Sequence, residues 1–441
     1  MTAPLVTIST SELLPKRADV VVVGGGIVGT STAYWLARAG QSVTLLEKGH
    51  IGAEQSSRNW GWCRQQNRDA RELPLATRSL ALWEDAMRDC GTGLGFRRCG
   101  LLYLSNTQSE IDSWAAWKPI ADAHGVETHM LTPHEATDRG AATGRHWRGG
   151  VWSPTDGVAD PSAAAPILAC GVMKHGGTVL QNCAARGLET QAGRVSAVIT
   201  EKGHIATSQV IVAGGAWAGL FLHQLGISFP QASVRSSILS VAPGAQGLPH
   251  ALHTKDVSLT RRSDGGYTLA ISGLARLDPT QGMIRHAKYF LPMFAKRWQS
   301  LSPGGPQAWR AGFDGARLWS LDKKTPMEEI RILSPKADNS VIKKTLARGR
   351  ALLPELAKVE VQATWAGYID STPDGVPVID ADVGLPGLAI AAGLSGHGFG
   401  IGPGVGHLMA DLVLGRKPIT ESVQYRLDRF SQSQWGRVAE F

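Results

Sequence analysis

The sequence has few cysteines, and they show no arrangement that predicts a disulfide framework. Five cysteines occur in 441 residues, and none of them forms a CxxC pair. An odd number of unpaired cysteines is typical of reduced thiols inside the cell. The first 17 residues also lack the apolar core of a secretion signal. We therefore expect a cytoplasmic protein.

Long apolar runs, metal-ligand motifs and nucleophile motifs are absent as well. No stretch of 18 apolar residues predicts a membrane-spanning helix. No HxH or HExxH motif and no carboxylate cluster predicts a metal site, and no GxSxG motif predicts a nucleophilic hydrolase. The net charge of +8 is small for this length and has no basic-aromatic motif beside it, so we expect no nucleic-acid partner.

Glycine, in contrast, is abundant, and signals of buried strands recur along the chain. There are 52 glycines, which suits a backbone that approaches a ligand closely at several places. The continuous β-branched run 18–23 predicts a buried parallel strand, and Gly40 predicts the end of the helix that follows it. The predicted strands are 18–23, 42–47, 177–180, 194–200, 208–213 and 388–393, with a hairpin over 257–271 and helices over 29–40 and 404–415.

These elements predict an α/β (overall α+β) chain with a discontinuous Rossmann-like domain. Parallel-strand signals lie at both ends and in the middle of the sequence, so a second domain is expected to be inserted between them. The boundaries that we expect are 17–80, 145–220 and 360–420 for the nucleotide-binding domain, 81–144 and 221–359 for the inserted domain, and 421–441 for a C-terminal extension.

A dinucleotide fingerprint follows the first predicted strand. Gly24, Gly26 and Gly29 form GxGxxG at the start of a helix, and Glu47 closes the next strand. The glycines permit a tight turn and a close backbone approach to a pyrophosphate, while the carboxylate accepts hydrogen bonds from ribose hydroxyls. The fingerprint predicts a dinucleotide, but it does not by itself separate NAD from FAD.

Three further segments favour a flavin. Residues 52–61 bring two serines and an arginine after the second strand, residues 210–217 are a strand that ends in a glycine pair, and residues 391–406 are a glycine-rich stretch leading into a helix. A helix N-terminus at that point places partial positive charge where a reduced flavin carries negative charge.

Together these segments resemble the D-amino-acid oxidase superfamily, which includes glycine and sarcosine oxidases, D-amino-acid dehydrogenases and L-amino-acid deaminases. The resemblance runs from Val20 to about Leu414, with its landmarks in the family's order. It implies an FAD domain and a substrate domain whose antiparallel sheet covers the flavin ring. The fingerprint and the resemblance predict FAD contacts at Gly24, Gly26, Ile27, Val28, Gly29, Glu47, Lys48, Ser56, Ser57, Arg58, Asn59, Trp60, Gly61, Ala185, Ala213, Gly214, Gly215, Trp217, Gly393, Gly396, His397, Gly398, Phe399 and Gly400.

The sequence departs from the family pattern in two places. Where glycine oxidases and D-amino-acid dehydrogenases carry an arginine that binds the substrate carboxylate, this chain reads Tyr368-Ile369-Asp370. Sarcosine-oxidase-like members carry a flavin-linking cysteine in the same region, whereas the cysteines here all precede residue 184. We therefore expect non-covalent FAD and a different carboxylate partner.

Six residues are candidates for substrate contact. Arg317, within a run similar to that of bacterial L-amino-acid deaminases, is the predicted carboxylate partner, or else it is a surface arginine packed on Trp319. Tyr368 is expected to border the flavin, and Asp370 either receives an ammonium group or caps a turn. Gln65 and Gln66 either reach the substrate or form a polar helix face. No side chain is assigned a catalytic role, because oxidation of an amine by flavin chiefly needs orientation of the Cα–H bond.

The segment 276–350 is basic, with 15 lysines and arginines and 6 acidic residues. Its stretch 285–298 is apolar and basic, as in helices that lie on anionic membranes. Such contact would suit an enzyme that reduces a quinone. The alternative, which the sequence favours, is a solvated face of the substrate domain. Oxygen and quinone both remain as electron acceptors, and the location is either cytoplasmic or peripheral on the inner membrane.

The function that we expect is FAD-dependent oxidation of the C–N bond of an amino acid, through an imine to a 2-oxo acid. Because Tyr368-Ile369-Asp370 is also similar to polyamine-type oxidases, a non-amino-acid amine is an alternative substrate. A second alternative is a flavoprotein subunit that depends on its partners for activity, as in opine-oxidase-type complexes. The fingerprint alone is also compatible with a nicotinamide-linked dehydrogenase.

Overall fold

The computed structural model describes residues 3–298, 301–310, 313–431 and 438–439. Its helices are α1 (Ile27–Arg38), α2 (Leu73–Cys90), α3 (Gln108–Ala123), α4 (Pro133–Arg139), α5 (Ala164–Lys174), α6 (Ala218–Gln224), α7 (Gln281–Arg297), α8 (Gln307–Arg310), α9 (Pro326–Glu329), α10 (Asn339–Leu352) and α11 (Gly398–Val413). Its strands are β1 (Val20–Val23), β2 (Val43–Leu46), β3 (Trp62–Cys63), β4 (Arg97–Arg98), β5 (Leu101–Ser105), β6 (His129–Leu131), β7 (Gly149–Ser153), β8 (Gly157–Val158), β9 (Thr178–Leu180), β10 (Ala185–Gln191), β11 (Arg194–Thr200), β12 (Gly203–Ala206), β13 (Val210–Val212), β14 (Ala232–Val241), β15 (Ala251–His253), β16 (Ser258–Arg261), β17 (Tyr267–Ala270), β18 (Ala275–Leu277), β19 (Leu301–Pro303), β20 (Val361–Ser371), β21 (Val378–Asp380) and β22 (Leu388–Ala392).

A six-stranded sheet carries the dinucleotide fingerprint. Its strand order is β21-β22-β13-β1-β2-β9, and its pairs are parallel except that β21 runs antiparallel to β22. Val22 in the centre lies opposite Leu45 of β2 and Ile211 of β13, and all three side chains are buried. Strands buried on both faces read as continuous apolar runs, which is why the sequence identified them.

A second, ten-stranded sheet forms the other large layer. Its main path is β19-β18-β14-β17-β16-β15-β5-β7-β6, and β20 pairs with β14 beside that path. The ten residues of β14 and the eleven of β20 form a long antiparallel pair in which Arg235 lies opposite Tyr368. The predicted hairpin is present as β16 and β17. The predicted fold class, a Rossmann-like sheet combined with a largely antiparallel one, is confirmed, while the domain boundaries stay a prediction.

The predicted start of the last helix was wrong. A helix was expected over 404–415, whereas α11 begins at Gly398. The glycines that indicated turns lie inside the helix, where they allow close packing. A Cβ atom on Gly402 would lie 2.7 Å from the Ile27 side chain, and one on Gly406 would lie 2.5 Å from that of Ser31. Glycine in these positions lets α11 contact the backbone of α1, and this contact outweighs the low intrinsic helix propensity of glycine.

Candidate FAD-binding site

A long cavity lies at the carboxyl ends of the parallel strands β1, β2, β13 and β22. Its volume is about 1370 Å³ when its open mouth is included. This edge of an open α/β sheet is where such folds bind ligands. Predicted FAD residues that line the cavity are Gly24, Gly26, Ile27, Val28, Glu47, Lys48, Ser56, Arg58, Asn59, Ala185, Ala213, Gly214, Gly215, Trp217, Gly396, Gly398 and Phe399.

The turn between β1 and α1 forms a cradle of backbone N–H groups. Gly24 has φ of +111°, and a Cβ atom there would lie 2.4 Å from the Ala213 carbonyl oxygen, so only glycine fits. Helix α1 begins at Ile27, whose N–H donates to Ser56 Oγ over 2.8 Å. The helix N-terminus therefore faces the cavity with the partial positive charge that favours a pyrophosphate.

Glu47 closes β2 at the same edge and is fixed by two backbone hydrogen bonds. Its Oε2 accepts from the Gly25 N–H over 2.7 Å, and its Oε1 accepts from the Gly49 N–H over 2.8 Å. Burial raises the pKa of Glu47 above its ordinary value. The carboxylate borders the cavity one strand away from the cradle, where it can accept hydrogen bonds from a ribose.

An ion-paired network forms the wall between Glu47 and the second sheet. Lys48 Nζ lies 2.5 Å from Glu54 Oε1 and 4.6 Å from the centroid of the Trp217 ring. Glu54 also accepts from Trp217 Nε1 and from the backbone N–H of Leu333. These contacts hold the segment after β2 against residues that lie far away in the sequence.

Tyr368 and Asp370 lie close together on β20, and both line the cavity. The Tyr368 hydroxyl donates to Asp278 Oδ2 over 2.7 Å, and its ring stacks on Phe313. Asp370 Oδ2 accepts from the backbone N–H groups of Gly393 and Leu394. Burial raises the pKa of Asp370 to about 6. These bonds attach β20 to the glycine-rich segment that leads into α11.

A comparison with protein families decides between a nicotinamide and a flavin in this cavity. The DAO family, described as FAD dependent oxidoreductase, matches residues 19–412. The chain belongs to this family. The predicted resemblance and the predicted cofactor, FAD, are thereby confirmed. The glycine cradle, the Glu47 carboxylate and the cavity of about 1370 Å³ that they line all fit that cofactor.

Individual members of the DAO family resemble the chain over nearly its full length. The chain is 26% identical to a glycine oxidase of Pseudomonas aeruginosa over 92% of this chain and 97% of that protein. It is 25% identical to the mitochondrial sarcosine dehydrogenase of Mus musculus, and it spans only 43% of that protein's length. The solved structure of L-amino acid deaminase from Proteus myxofaciens in complex with anthranilate matches with a TM-score of 0.92, 28% identity, and coverage of 98% of this chain and 97% of that one.

Some predicted residues of this DAO-family chain lie outside the cavity lining. Gly29 packs α1 against β1, since a Cβ atom there would lie 1.8 Å from the Gly24 carbonyl oxygen. Arg58 lines the cavity, but its guanidinium donates to the carbonyl groups of Ala53, Leu333 and Ala366. The predicted residues outside the lining are Gly29, Ser57, Trp60, Gly61, Gly393, His397 and Gly400. Direct contact with FAD remains a prediction for these residues and for those that line the cavity.

The predicted substrate residues do not all converge on the cavity. Arg317 is exposed and does not line the cavity. Trp319 does not line it either, and its Nε1 donates to the Arg186 carbonyl oxygen over 2.7 Å. Gln65 donates to Thr77, and Gln66 accepts from Thr128, so the two side chains already have partners in the protein. Tyr368 and Asp370 are the predicted substrate residues that line the cavity, and all six roles remain predictions.

Sequence reasoning missed several lining residues. Met327 and Leu333 border the cavity and lie outside every segment predicted to bind the flavin. Glu54, Gln55 and Leu394 also border it and lie within the predicted segments 52–61 and 391–406, but they were not named individually. Glu54 was detectable as an acid six residues after Lys48, but Met327 and Leu333 reach the cavity from nearly 300 residues beyond the fingerprint. Among the described residues no cluster of His, Cys, Asp and Glu suits a metal ion. No described helix is long and apolar enough to cross a membrane.

Proposed function

We propose that this chain oxidises the C–N bond of an α-amino acid to an imine, which water hydrolyses to a 2-oxo acid and ammonia or an amine. The observation that carries the proposal is the match to L-amino acid deaminase over nearly the whole of both chains. FAD supplies the redox chemistry by accepting the two electrons that the substrate loses. The protein binds and orients the substrate.

The described residues support a protein that binds and orients FAD and substrate while FAD supplies the redox chemistry. The cradle at Gly24–Ile27 and the Glu47 carboxylate bind the nucleotide end of FAD, and Tyr368 closes the opposite end against the second sheet. Asp370 fixes the segment leading into α11, so the helix N-terminus is held where a reduced flavin carries negative charge. We propose that FAD is not covalently attached, because every cysteine precedes residue 184 and none lies in the region of β20, where sarcosine-oxidase-like members carry the flavin-linking cysteine.

A substrate panel tests the proposed function. Under anaerobic conditions the yellow absorbance of the purified chain should bleach with one or more D- or L-amino acids, because the flavin is reduced without oxygen to reoxidise it. Polyamines, tested in the same way, are the control class. Bleaching by amines alone would contradict the proposal, and bleaching that needs a second protein would favour a heteromeric complex.

We further propose that α7 rests on an anionic membrane, which would give the enzyme access to a quinone. Ile284, Leu291, Phe294 and Trp298 follow one another at spacings of seven, three and four residues, and all are exposed. Such spacing places them on one helix face. The exposed basic residues Arg285, Lys288 and Arg297 flank that face. Apolar and basic side chains in this arrangement bind the headgroup region of an anionic bilayer.

Vesicle binding tests the membrane proposal. The holoenzyme should sediment with vesicles that contain phosphatidylserine and much less with pure phosphatidylcholine vesicles. The double variant Leu291→Ser/Phe294→Ser should lose most of this binding, because each change removes apolar area from the face. Val423→Ser, which alters an exposed valine elsewhere, is the matched control. Equal sedimentation of wild type and double variant would show that α7 is only a solvated surface.

A further inference from the structure

A group of buried polar atoms beside the start of α11 has no hydrogen-bond partner among the described residues. Three of these atoms belong to hydrogen-bond donors, on Trp62, Arg68 and Tyr103. The other three can accept a hydrogen bond and belong to Glu72 and His397. They are Trp62 Nε1, Arg68 Nη1, Tyr103 Oη, both carboxylate oxygens of Glu72, and His397 Nδ1. Buried polar groups are nearly always satisfied, so such a concentration marks a place where something else supplies the partners.

The group adjoins the end of the FAD cavity at which the flavin ring is expected. A Cβ atom on Gly400 would lie 2.7 Å from the Trp62 carbonyl oxygen and 2.9 Å from the Cα atom of Cys63, so β3 lies against the first turn of α11. On the other side of that turn, Gly396 and Gly398 line the cavity. The unpartnered atoms therefore lie just beyond the cavity wall that α11 contributes.

Arg68 is the unusual member, because it is a buried cation that forms no direct ion pair with a described residue, although the charges of Glu72 and Asp156 raise its pKa against the effect of burial. It is 3% exposed, and no described carboxylate lies within 4.0 Å of its guanidinium. Its Nε donates to the Arg64 carbonyl oxygen over 3.4 Å, which leaves Nη1 free. Burial lowers the pKa of Arg68 to about 9. A buried charge without a partner is strongly destabilising, so an anion from outside the chain would stabilise it.

The acceptors lie near Arg68, since Glu72 is close enough for its charge to act on the pKa of Arg68. Glu72 is fully buried, and its Oε2 lies 3.2 Å from His397 Nδ1, although the angle does not make a hydrogen bond. Aromatic rings enclose the donors, since Trp62 and Tyr103 lie 6.3 Å apart and His253 lies 5.2 Å from Tyr103, measured between centroids. The group thus combines unpartnered donors and unpartnered acceptors within aromatic walls.

We propose that Arg68, Tyr103 and Trp62 bind the carboxylate of the substrate, and that Glu72 and His397 lie toward its amino group. This inference rests on the proposed function. It names a cation for the substrate carboxylate, since Ile369 stands where glycine oxidases and D-amino-acid dehydrogenases carry an arginine. A ligand with both a carboxylate and an amino group satisfies both kinds of atom, whereas a polyamine leaves Arg68 unpaired.

Binding of benzoate to the holoenzyme, followed by the shift of the flavin absorbance, tests the proposal without turnover. Arg68→Met should weaken benzoate binding by about a hundredfold or more, because a buried carboxylate would lose its cation. Arg68→Lys should recover part of the affinity. Arg88→Met, which changes an exposed arginine on α2, is the matched control and should bind benzoate as the wild type does.

Thermal stability distinguishes a binding role from a structural one. In the absence of benzoate, Arg68→Met should keep or raise the Tm, since it removes an unpaired buried charge, whereas loss of a structural residue lowers the Tm. If Arg68→Met does not retain FAD, Tyr103→Phe carries the test, with an expected weakening of about tenfold from one lost hydrogen bond. Wild-type affinity in Tyr103→Phe would then overturn the proposal.

Two further outcomes are decisive. If Arg317→Ala abolishes benzoate binding while Arg68→Met does not, Arg317 is the carboxylate partner and the proposal is wrong. If amines alone bleach the wild-type flavin, the proposed function fails. If amino acids bleach it and Arg68→Met binds benzoate with wild-type affinity, the proposed function stands and this inference alone fails.

Discussion

Glu47→Arg is expected to leave the purified protein without its yellow colour. The change removes both hydrogen bonds that fix the turns at Gly25 and Gly49, and it puts a cation where ribose hydroxyls need an acceptor. Breaking a buried charged interaction in this way costs about 3–5 kcal/mol, which corresponds to a loss of FAD affinity of a hundredfold or more. The ratio of flavin to protein absorbance after gel filtration measures the loss.

Two further variants serve as a milder change at the same position and as a surface control. Glu47→Gln retains one acceptor oxygen and should weaken FAD binding by about tenfold. Glu127→Arg reverses an exposed charge elsewhere and should leave the flavin content unchanged. A normal flavin content in Glu47→Arg would mean that the end of β2 does not face the nucleotide, which would contradict the placement of the cofactor.

Asp278→Ala is expected to destabilise the fold more than any surface change. Asp278 is fully buried and binds Arg235 through both oxygens, with Nε–Oδ2 and Nη2–Oδ1 distances of 2.6 and 3.0 Å. It also accepts from the Tyr368 hydroxyl. Removing it leaves a buried guanidinium without its counter-ion, at a cost of about 3–5 kcal/mol. The Tm of the holoenzyme, followed by circular dichroism, should fall markedly.

The comparison variants separate the ion pair from a general effect of the substitution. Asp122→Ala breaks the exposed pair with Lys118 and should cost less than about 1 kcal/mol. Arg235→Met combined with Asp278→Leu removes both charges and should recover much of the lost stability, because no unpaired charge remains. If Asp278→Ala and Asp122→Ala lower the Tm equally, the buried pair has no special role.

The sequence predicted the Rossmann-like sheet well because its signals are local. A β-branched run such as Val20–Val23, a GxGxxG turn and a closing acid such as Glu47 are all read from neighbouring residues. The prediction for the first turns of α11 was wrong for the same reason, since their glycines indicate a loop locally and a helix only when α1 is packed against them.

The second half of the site could not be predicted, since it depends on contacts between distant segments. Leu333 reaches the cavity only because its backbone N–H bonds Glu54, and no local pattern indicates that contact. Arg68 and Glu72 read as ordinary charged residues before a helix, and their burial appears only once β3 lies on α11. The prediction for Arg317 rests on a resemblance and on its aromatic neighbours, neither of which determines whether its side chain faces the cavity; Arg317 is exposed, and its role stays a prediction.

The glycines of α11 have a consequence for the order in which the protein assembles. A helix with glycine at 398, 400, 402, 404 and 406 is unstable as an isolated segment, so it forms only against α1 and α2. Those partners are synthesised more than 300 residues earlier. The nascent chain therefore exposes the fingerprint long before the segment that closes the flavin end of the cavity has left the ribosome. If the flavin lies beside α11 as proposed, we expect lasting retention of FAD only after this late segment docks.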